Sequence, residues 1–238
     1  MGTSSSKRLG VIVPSSNTTM ERELWGMVPE GWSVHAARVR MKRVTVEELV
    51  RMDEEGERAA REVADAGVGV IGYGCTIAIM SREPGYERRV QERLEGAAGV
   101  PVVISATAVL EAMEALGIRR VAVATPYVEE VAAREVAFLR AYGVEVVDNK
   151  NLNIADNLVV GEQPEEVTYA LVRQLDWGRA DGVLISCAQL PSAGIIERLE
   201  RELERPVFST NTATLWAMLR RIGASVRIRG YGQLLALG

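Results

Sequence analysis

The segment VGVIGYGCT (68–76) is a short apolar run that ends in a cysteine, and DGVLISCAQ (181–189) has the same form. Cys187 follows Cys75 by 112 residues. A second pair of landmarks has this spacing, because the run VIVP ends at Pro14 and the run VAVATP ends at Pro126. Two independent pairs with one offset indicate an internal duplication. The sequence therefore predicts two similar halves, each of which contributes one cysteine.

Short β-branched runs alternate with longer amphipathic segments along the whole chain. The predicted strands are 8–14, 32–39, 68–74, 100–105, 120–126, 144–149, 181–186 and 206–210. The predicted helices, with apolar residues at helical spacing, are 45–66, 84–98, 128–142, 163–177 and 192–204. This alternation favours parallel sheets with helices on both faces, because parallel strands need a crossover connection.

The predicted fold class follows from the duplication and the alternation together. We expect an α/β protein with two similar Rossmann-like halves, each holding a four-stranded parallel sheet, related by a pseudo-twofold axis. The 238 residues are sufficient for two such small domains. We place the N-terminal half at 1–110 and the C-terminal half at 111–210. The closing segment 211–238 is expected to pack back on the first half.

Composition excludes several classes of function. A net charge of −4 argues against a nucleic-acid partner, because no basic surface is available to bind phosphates. No apolar run of about 18 residues is present, so we expect no membrane span. The start, MGTSSSKRLG, lacks the apolar stretch of a secretory signal, which predicts a cytoplasmic protein with reduced thiols.

The chain has one histidine, His35, and two cysteines. A single histidine argues against a multi-histidine metal site and against Ser-His-Asp chemistry elsewhere on the chain. No glycine-rich phosphate loop follows the first predicted strand. We therefore predict no metal and no organic cofactor.

The site is expected where the predicted strands end, because ligands of open α/β sheets bind beyond the carboxyl ends of the strands. Four polar segments lie there: PSSNTT (14–19), GCT (74–76), PY (126–127) and CAQLPS (187–192). The duplication places Cys75 and Cys187 across one cleft. A thiol at the start of a helix is favoured as thiolate, and a second, protonated thiol can donate a proton from the opposite face. The alternative for each cysteine is a small buried apolar residue.

Three further polar residues have two interpretations each. Asn17 lies in a segment that reads as a helix cap, and a capped helix start also binds carboxylates. Asn157, in IADNLVVG, is either a turn former or a ligand of the substrate. Tyr127 is either a packing residue or a hydrogen-bond donor in the site.

The segments VIVPSSNTTME (11–21), GYGCT (72–76) and ISCAQLPS (185–192) occur in this order across nearly the whole chain. Together they resemble maleate cis–trans isomerases, which belong to the aspartate/glutamate racemase superfamily and are related to arylmalonate decarboxylases. The resemblance implies isomerisation of maleate, or a similar small dicarboxylate, to the trans acid without a cofactor. It implies that Cys75 is the nucleophile and Cys187 the acid/base. It further implies that Asn17, Tyr127 and Asn157 bind the carboxylates and that Thr76 lines the site. We also expect a homodimer or higher homo-oligomer.

Three other functions remain open from the sequence. An amino-acid or hydantoin racemase also uses two cysteines, although the two sides of this predicted site differ in sequence. An arylmalonate-type decarboxylase relies on one cysteine in the second half, so Cys75 argues against it. A two-lobed binding protein would not need the paired thiols.

Overall fold

A computed structural model describes residues 7–42 and 46–238. The leader 1–6 and residue 45, the first of one predicted helix, lie outside the described residues. The strands are β1 Arg8–Pro14, β2 Ser33–Val39, β3 Val70–Tyr73, β4 Val102–Ile104, β5 Arg120–Thr125, β6 Glu145–Asn151, β7 Gly182–Ile185 and β8 Val207–Ser209. The helices are α1 Met20–Met27, α2 Val46–Ala64, α3 Thr76–Met80, α4 Tyr86–Ala98, α5 Ser105–Ala115, α6 Glu129–Ala141, α7 Asn157–Gly161, α8 Glu165–Arg173, α9 Ile196–Leu203, α10 Thr210–Arg221 and α11 Gln233–Leu237.

The strands form two four-stranded sheets with the same topology. The strand order is β2-β1-β3-β4 in the first sheet and β6-β5-β7-β8 in the second. Every pair of neighbouring strands is parallel. The predicted fold class, two similar α/β halves with four parallel strands each, is confirmed. Because the strands of each sheet run in one direction, their carboxyl ends meet along one edge.

The central strands are buried on both faces, which explains their nearly continuous apolar sequences. All residues of β3 and β7 are buried, and β1 and β5 each expose only their first residue. Doubly covered parallel strands have this composition because helices pack on each face of the sheet. Alternating apolar and polar residues are therefore not required within these strands.

Helix α10 links the second half of the chain to the first. It begins with a capping box between Ser209 and Thr212 and packs against α5 and against strands β3 and β4. The Thr214 hydroxyl donates a hydrogen bond to Ser105 Oγ at 2.9 Å. The closing part of the chain thus contacts the first sheet, while the exact domain limits stay a prediction. Within the described residues, no helix is long and apolar enough to cross a membrane.

Candidate active site

A small pocket lies where β1, β3, β5 and β7 end. Its described lining residues are Pro14, Asn17, Met41, Gly74, Cys75, Thr76, Ile77, Tyr127, Asn157, Cys187, Ala188 and Gln189. The structure therefore brings all six residues predicted for the site to one pocket. None of these lining side chains carries a formal charge when both thiols are protonated.

Cys75 enters the pocket from the end of β3. It directly precedes the five-residue helix α3 and is 5% exposed. Gly74 before it is required by space, because a Cβ atom there would overlap Met20 Sδ and would lie 3.3 Å from the carbonyl oxygen of Ile12. Glycine thus allows β3 to approach α1 and β1 closely and so sets the position of Cys75.

Cys187 reaches the same pocket from the end of β7 with a strained backbone. Its φ of 92° lies in the left-handed region, which non-glycine residues rarely adopt. Its backbone N–H donates to Thr210 Oγ1 at 3.2 Å, which helps to hold this conformation. Burial raises the pKa of its thiol to about 11, although hydrogen bonds from the Gln189 N–H and the Tyr127 hydroxyl oppose the rise. Cys187 is therefore a neutral thiol near pH 7 and able to donate a proton.

Tyr127 is a buried hydrogen-bond donor to Cys187. Burial raises the pKa of its hydroxyl well above the usual value, and negative charge on Cys187 raises it further. The hydroxyl therefore keeps its proton throughout the physiological range. Both interpretations of Tyr127 apply, since its ring is packed in the core and its hydroxyl faces the site.

Asn17 caps the first helix, as one of its two interpretations predicts, and it also lines the pocket. Its side-chain oxygen accepts the backbone N–H groups of Thr19 at 3.1 Å and Met20 at 3.0 Å, at the start of α1. Its amide nitrogen donates to the carbonyl oxygen of Ala188 at 3.2 Å. The residue thus fixes the first helix and joins it to the segment that follows Cys187, while lining the pocket.

Asn157 is the first residue of α7, whose start is capped by Asp156. Its amide nitrogen donates to Ser16 Oγ at 2.7 Å, and Ser16 Oγ donates in turn to the Met41 carbonyl at 2.7 Å. These bonds connect the second half of the chain to the segment after β1. Asn157 is consequently held in place across the cleft between the two halves.

Gln189 is a site residue that the sequence analysis did not identify. Its amide nitrogen donates to the carbonyl oxygens of Asn157 at 2.8 Å and Ser16 at 3.1 Å, and its oxygen accepts the N–H of Thr18 at 2.8 Å. It thereby closes one wall of the pocket. The sequence feature that could have identified Gln189 is its position in CAQLPS, two residues after a cysteine. Met41, also missed, adds apolar surface to the pocket, as does Ile77 directly after Thr76.

Two buried glutamates outside the pocket were not predicted either. Glu135 on α6 accepts a hydrogen bond from Ser186 Oγ. Burial raises the pKa of Glu135 to about 7, although hydrogen bonds from the Ser186 and Thr125 hydroxyls stabilise the carboxylate and oppose the rise. Glu23 on α1 accepts from the backbone N–H groups of Ser192 at 2.7 Å and Ala193 at 3.0 Å and from Asn211 Nδ2 at 2.7 Å. Burial raises the pKa of Glu23 as well, and these hydrogen bonds oppose the rise.

Metal-ligating side chains are not clustered in the described part of the chain. Among the described residues, no cluster of three or more histidine, cysteine, aspartate or glutamate side chains is suited to hold a metal. Cys75 and Cys187, both in the described part of the chain, form no disulfide. The pocket thus presents two reduced thiols, amides and hydroxyls to its ligand.

The family model for arylmalonate decarboxylase matches residues 9–235. The chain belongs to this family. It is 37% identical to the maleate isomerase of Geobacillus stearothermophilus, over 96% of this chain and 97% of that protein, which places it with the maleate isomerases of the family. The predicted resemblance is confirmed.

Two solved structures of maleate isomerases are also similar to this chain. A variant of the enzyme from Pseudomonas putida S16, solved with maleate, superposes with a TM-score of 0.90 at 38% identity, covering 96% of this chain and 97% of that one. A cysteine-to-serine variant of the enzyme from Nocardia farcinica holds a covalently bound succinylcysteine intermediate. It superposes with a TM-score of 0.92 at 36% identity, covering 97% and 98% of the two chains.

Proposed function

We propose that this protein is an isomerase that converts maleate to fumarate through a covalent adduct on Cys75, with Cys187 as the acid/base. The observation that carries the proposal is the pair of thiols in one uncharged pocket, of which Cys187 is held neutral by burial. The relatives support it, since the bound maleate and the succinylcysteine of the two solved isomerases are the substrate and the adduct of this reaction.

The first step is addition of the Cys75 thiolate to one alkene carbon of maleate. The S–C bond forms, the π bond breaks, and its electron pair moves to the neighbouring carbon, which takes the proton of the Cys187 thiol. The product is a succinyl group on Cys75. Cys187 suits this role because burial raises its pKa to about 11, which keeps it protonated until the carbon becomes basic.

The second step is rotation about the former double bond, which is now single. Rotation relieves repulsion between the two cis carboxylates. Cys187 then takes back a proton from the same carbon, the electron pair re-forms the π bond, and Cys75 leaves as thiolate. The sequence of steps consumes no proton and no cofactor, and it releases fumarate.

We propose that Asn17, Asn157 and Tyr127 hold the two carboxylates through amide N–H and hydroxyl groups, with Thr76 beside Cys75. All four line the pocket together with neutral side chains only. An arginine clamp would hold a carboxylate in a fixed bidentate geometry. Neutral donors bind less rigidly, so one carboxylate end is able to swing during the rotation.

The proposal also covers the location of the enzyme and its oligomeric state. We propose a cytoplasmic homodimer or higher homo-oligomer with a small dicarboxylate as substrate and no resident cofactor. Reduced thiols suit a reducing compartment. We also propose the domain limits 1–110 and 111–210, with 211–238 packed on the first half. The hydrogen bond from the Tyr231 hydroxyl to the Gly26 carbonyl at 2.9 Å supports this packing.

Solvent exchange distinguishes the isomerase from its rivals. A racemase replaces the proton on its substrate carbon, so deuterium from heavy water enters each inverted product. In the proposed isomerisation, the proton lent by Cys187 returns to it, and no original C–H bond needs to break. We expect maleate in heavy water to give fumarate with much less than one deuterium per turnover, measured by mass spectrometry at early conversion.

The same experiment includes aspartate, a hydantoin and an aryl malonate as parallel substrates, with products identified by proton NMR. Acid quench should also trap a protein species heavier by one maleate. Full labelling of the fumarate without any trapped adduct would indicate proton transfer at both cysteines instead. Turnover of an amino acid, a hydantoin or an aryl malonate in place of maleate would support the racemase or the decarboxylase.

A further inference from the structure

Glu135 is a buried carboxyl group behind the proposed acid/base cysteine. Its side chain is fully buried, and it receives a hydrogen bond from the hydroxyl of Ser186, the residue directly before Cys187. The Thr125 hydroxyl also stabilises the carboxylate, and Thr125 lies two residues before Tyr127. Glu135 is therefore fixed to the ends of β5 and β7, the two strands that deliver Tyr127 and Cys187 to the pocket.

One carboxyl oxygen of Glu135 lacks a hydrogen-bond partner of good geometry. Oε2 is buried without such a partner among the described residues, whereas Oε1 accepts from Ser186. A buried carboxylate oxygen without a donor is costly, and the cost falls when the group takes up a proton. Burial of this oxygen therefore favours the protonated carboxyl, in agreement with the raised pKa of Glu135.

Cys187 and Tyr127 are titratable groups of the described part of the chain that interact with Glu135. Helix α3, which packs against α6, has no charged side chain. On β6, which also packs against α6, and on α6 itself, most charged side chains are occupied with other partners, and Arg140 in the last turn of α6 is exposed. The pairs are Asp148–Lys150, Glu145–Arg179, Glu130–Arg134 and Glu129–Asn151.

We propose that Glu135 is a positioning residue that keeps Cys187 in its thiol form, because its carboxylate, anchored by Ser186 and Thr125, disfavours a second negative charge beside it. The inference rests on the proposed function, in which Cys187 lends and recovers a proton. A carboxylate behind Cys187 prevents early loss of the thiol proton. It also makes the thiolate that remains after proton donation a stronger base, which recovers the proton once the rotation is complete.

The first half of the chain provides a matched comparison. Glu23 precedes Glu135 by 112 residues, the offset that also separates Cys75 from Cys187. Its carboxylate faces the segment after Cys187 and is stabilised there by two backbone N–H groups and the Asn211 amide. Glu23 is thus a buried glutamate at the equivalent position of the first half, and it holds the loop after Cys187. It therefore serves as the control for Glu135.

The test measures the thiol of Cys187 directly, without substrate. In a Cys75→Ser background, Cys187 is the only thiol, and its ionisation is followed by ultraviolet thiolate absorbance as pH is raised. Glu135→Gln removes the negative charge, so we expect the pKa of Cys187 to fall by about one unit, or about tenfold more thiolate at mildly alkaline pH. Glu135→Asp should keep the pKa near that of the parent, and Glu23→Gln should leave it unchanged.

Glu135→Met provides a second neutral variant, because an apolar side chain of similar length often replaces a buried charge without loss of folding. An unchanged pKa of Cys187 in both the Gln and the Met variants would overturn the proposal, as would an equal shift in Glu23→Gln. The readout involves no maleate. A shift in the thiol pKa without any isomerase activity would therefore support the role of Glu135 while rejecting the proposed function.

Discussion

The two halves of the molecule share a backbone plan but differ in the residues behind their cysteines. The strand order is the same in both sheets, and the pairs Cys75–Cys187 and Glu23–Glu135 each keep the offset of 112 residues. Yet the residue before the cysteine is Gly74 in the first half and Ser186 in the second. The serine hydroxyl binds Glu135, and glycine has no side chain to bind Glu23.

The carboxylates consequently have different partners. Glu23 accepts hydrogen bonds from the opposite half, and Glu135 remains beside the cysteine of its own half. The two thiols thus lie at equivalent positions of a duplicated fold but have different surroundings. We expect the following changes to test this asymmetry, in order of decreasing effect.

The largest effect is expected at Cys75. Cys75→Ser replaces an ionisable nucleophile with a hydroxyl, and the pocket contains no histidine to activate it. We expect kcat for maleate to fall about a thousandfold or more, which is about 4 kcal/mol in activation free energy. Steady-state kinetics measures the loss, with the circular dichroism spectrum as the control for folding.

Cys187→Ser is the matched variant for this comparison. It should still form the maleate adduct, visible by mass spectrometry after acid quench, whereas Cys75→Ser should form none. The two thiols would be interchangeable if Cys75→Ser kept more than about a tenth of the wild-type kcat, or if both variants formed the adduct.

The next effect concerns the pH dependence of stability. The pKa of Glu135 rises from its ordinary 4.5 to about 7 in the folded protein. Its stabilising contribution is complete below pH 4.5, where both states hold the proton, and it is lost as pH rises to about 7. Relative to Glu135→Gln, the wild type should lose about 3 kcal/mol of unfolding free energy over this range.

Urea unfolding of both proteins at several pH values measures this difference. Glu23→Gln is the matched comparison: burial raises the pKa of Glu23 as well, so this variant should show a pH dependence of the same sign, which the hydrogen bonds at Glu23 oppose. A difference between wild type and Glu135→Gln that stays constant with pH would mean that Glu135 does not titrate in this range.

A smaller effect is expected at Glu23. Glu23→Ala leaves the N–H groups of Ser192 and Ala193 and the amide of Asn211 without their acceptor. We expect a loss of about 2 kcal/mol in unfolding free energy and a higher KM, because the segment that follows Cys187 is less well held. Glu23→Gln keeps one oxygen and should cost about 1 kcal/mol. Equal stability of the Ala variant and the wild type would show that solvent replaces Glu23.

Much of the fold was predictable from local sequence pattern. The eight strands were found because doubly buried parallel strands are short apolar runs, and only their limits differ by a few residues. The five longer predicted helices correspond to α2, α4, α6, α8 and α9. Helices α3, α7 and α11 were not predicted, because five residues are too few for helical periodicity to show.

The candidate site was predictable where a motif ends a strand, as at Cys75 and Cys187. It was not predictable where contacts between distant segments create it. Gln189 and Glu135 gain their surroundings from segments far apart in the chain, and no local pattern distinguishes Glu135 from an exposed helical glutamate. Only the constant offset of 112 residues from Glu23 would have indicated its place.

The left-handed backbone at Cys187 has a consequence for protein engineering. Glycine adopts a φ of 92° without the strain that cysteine bears there, so a search for stabilising substitutions would favour glycine at this position. Such a change would raise thermal resistance and remove the proposed proton donor together. Optimisation of this scaffold for heat tolerance therefore needs position 187 fixed at the outset, and gains in stability should be sought away from the strand ends.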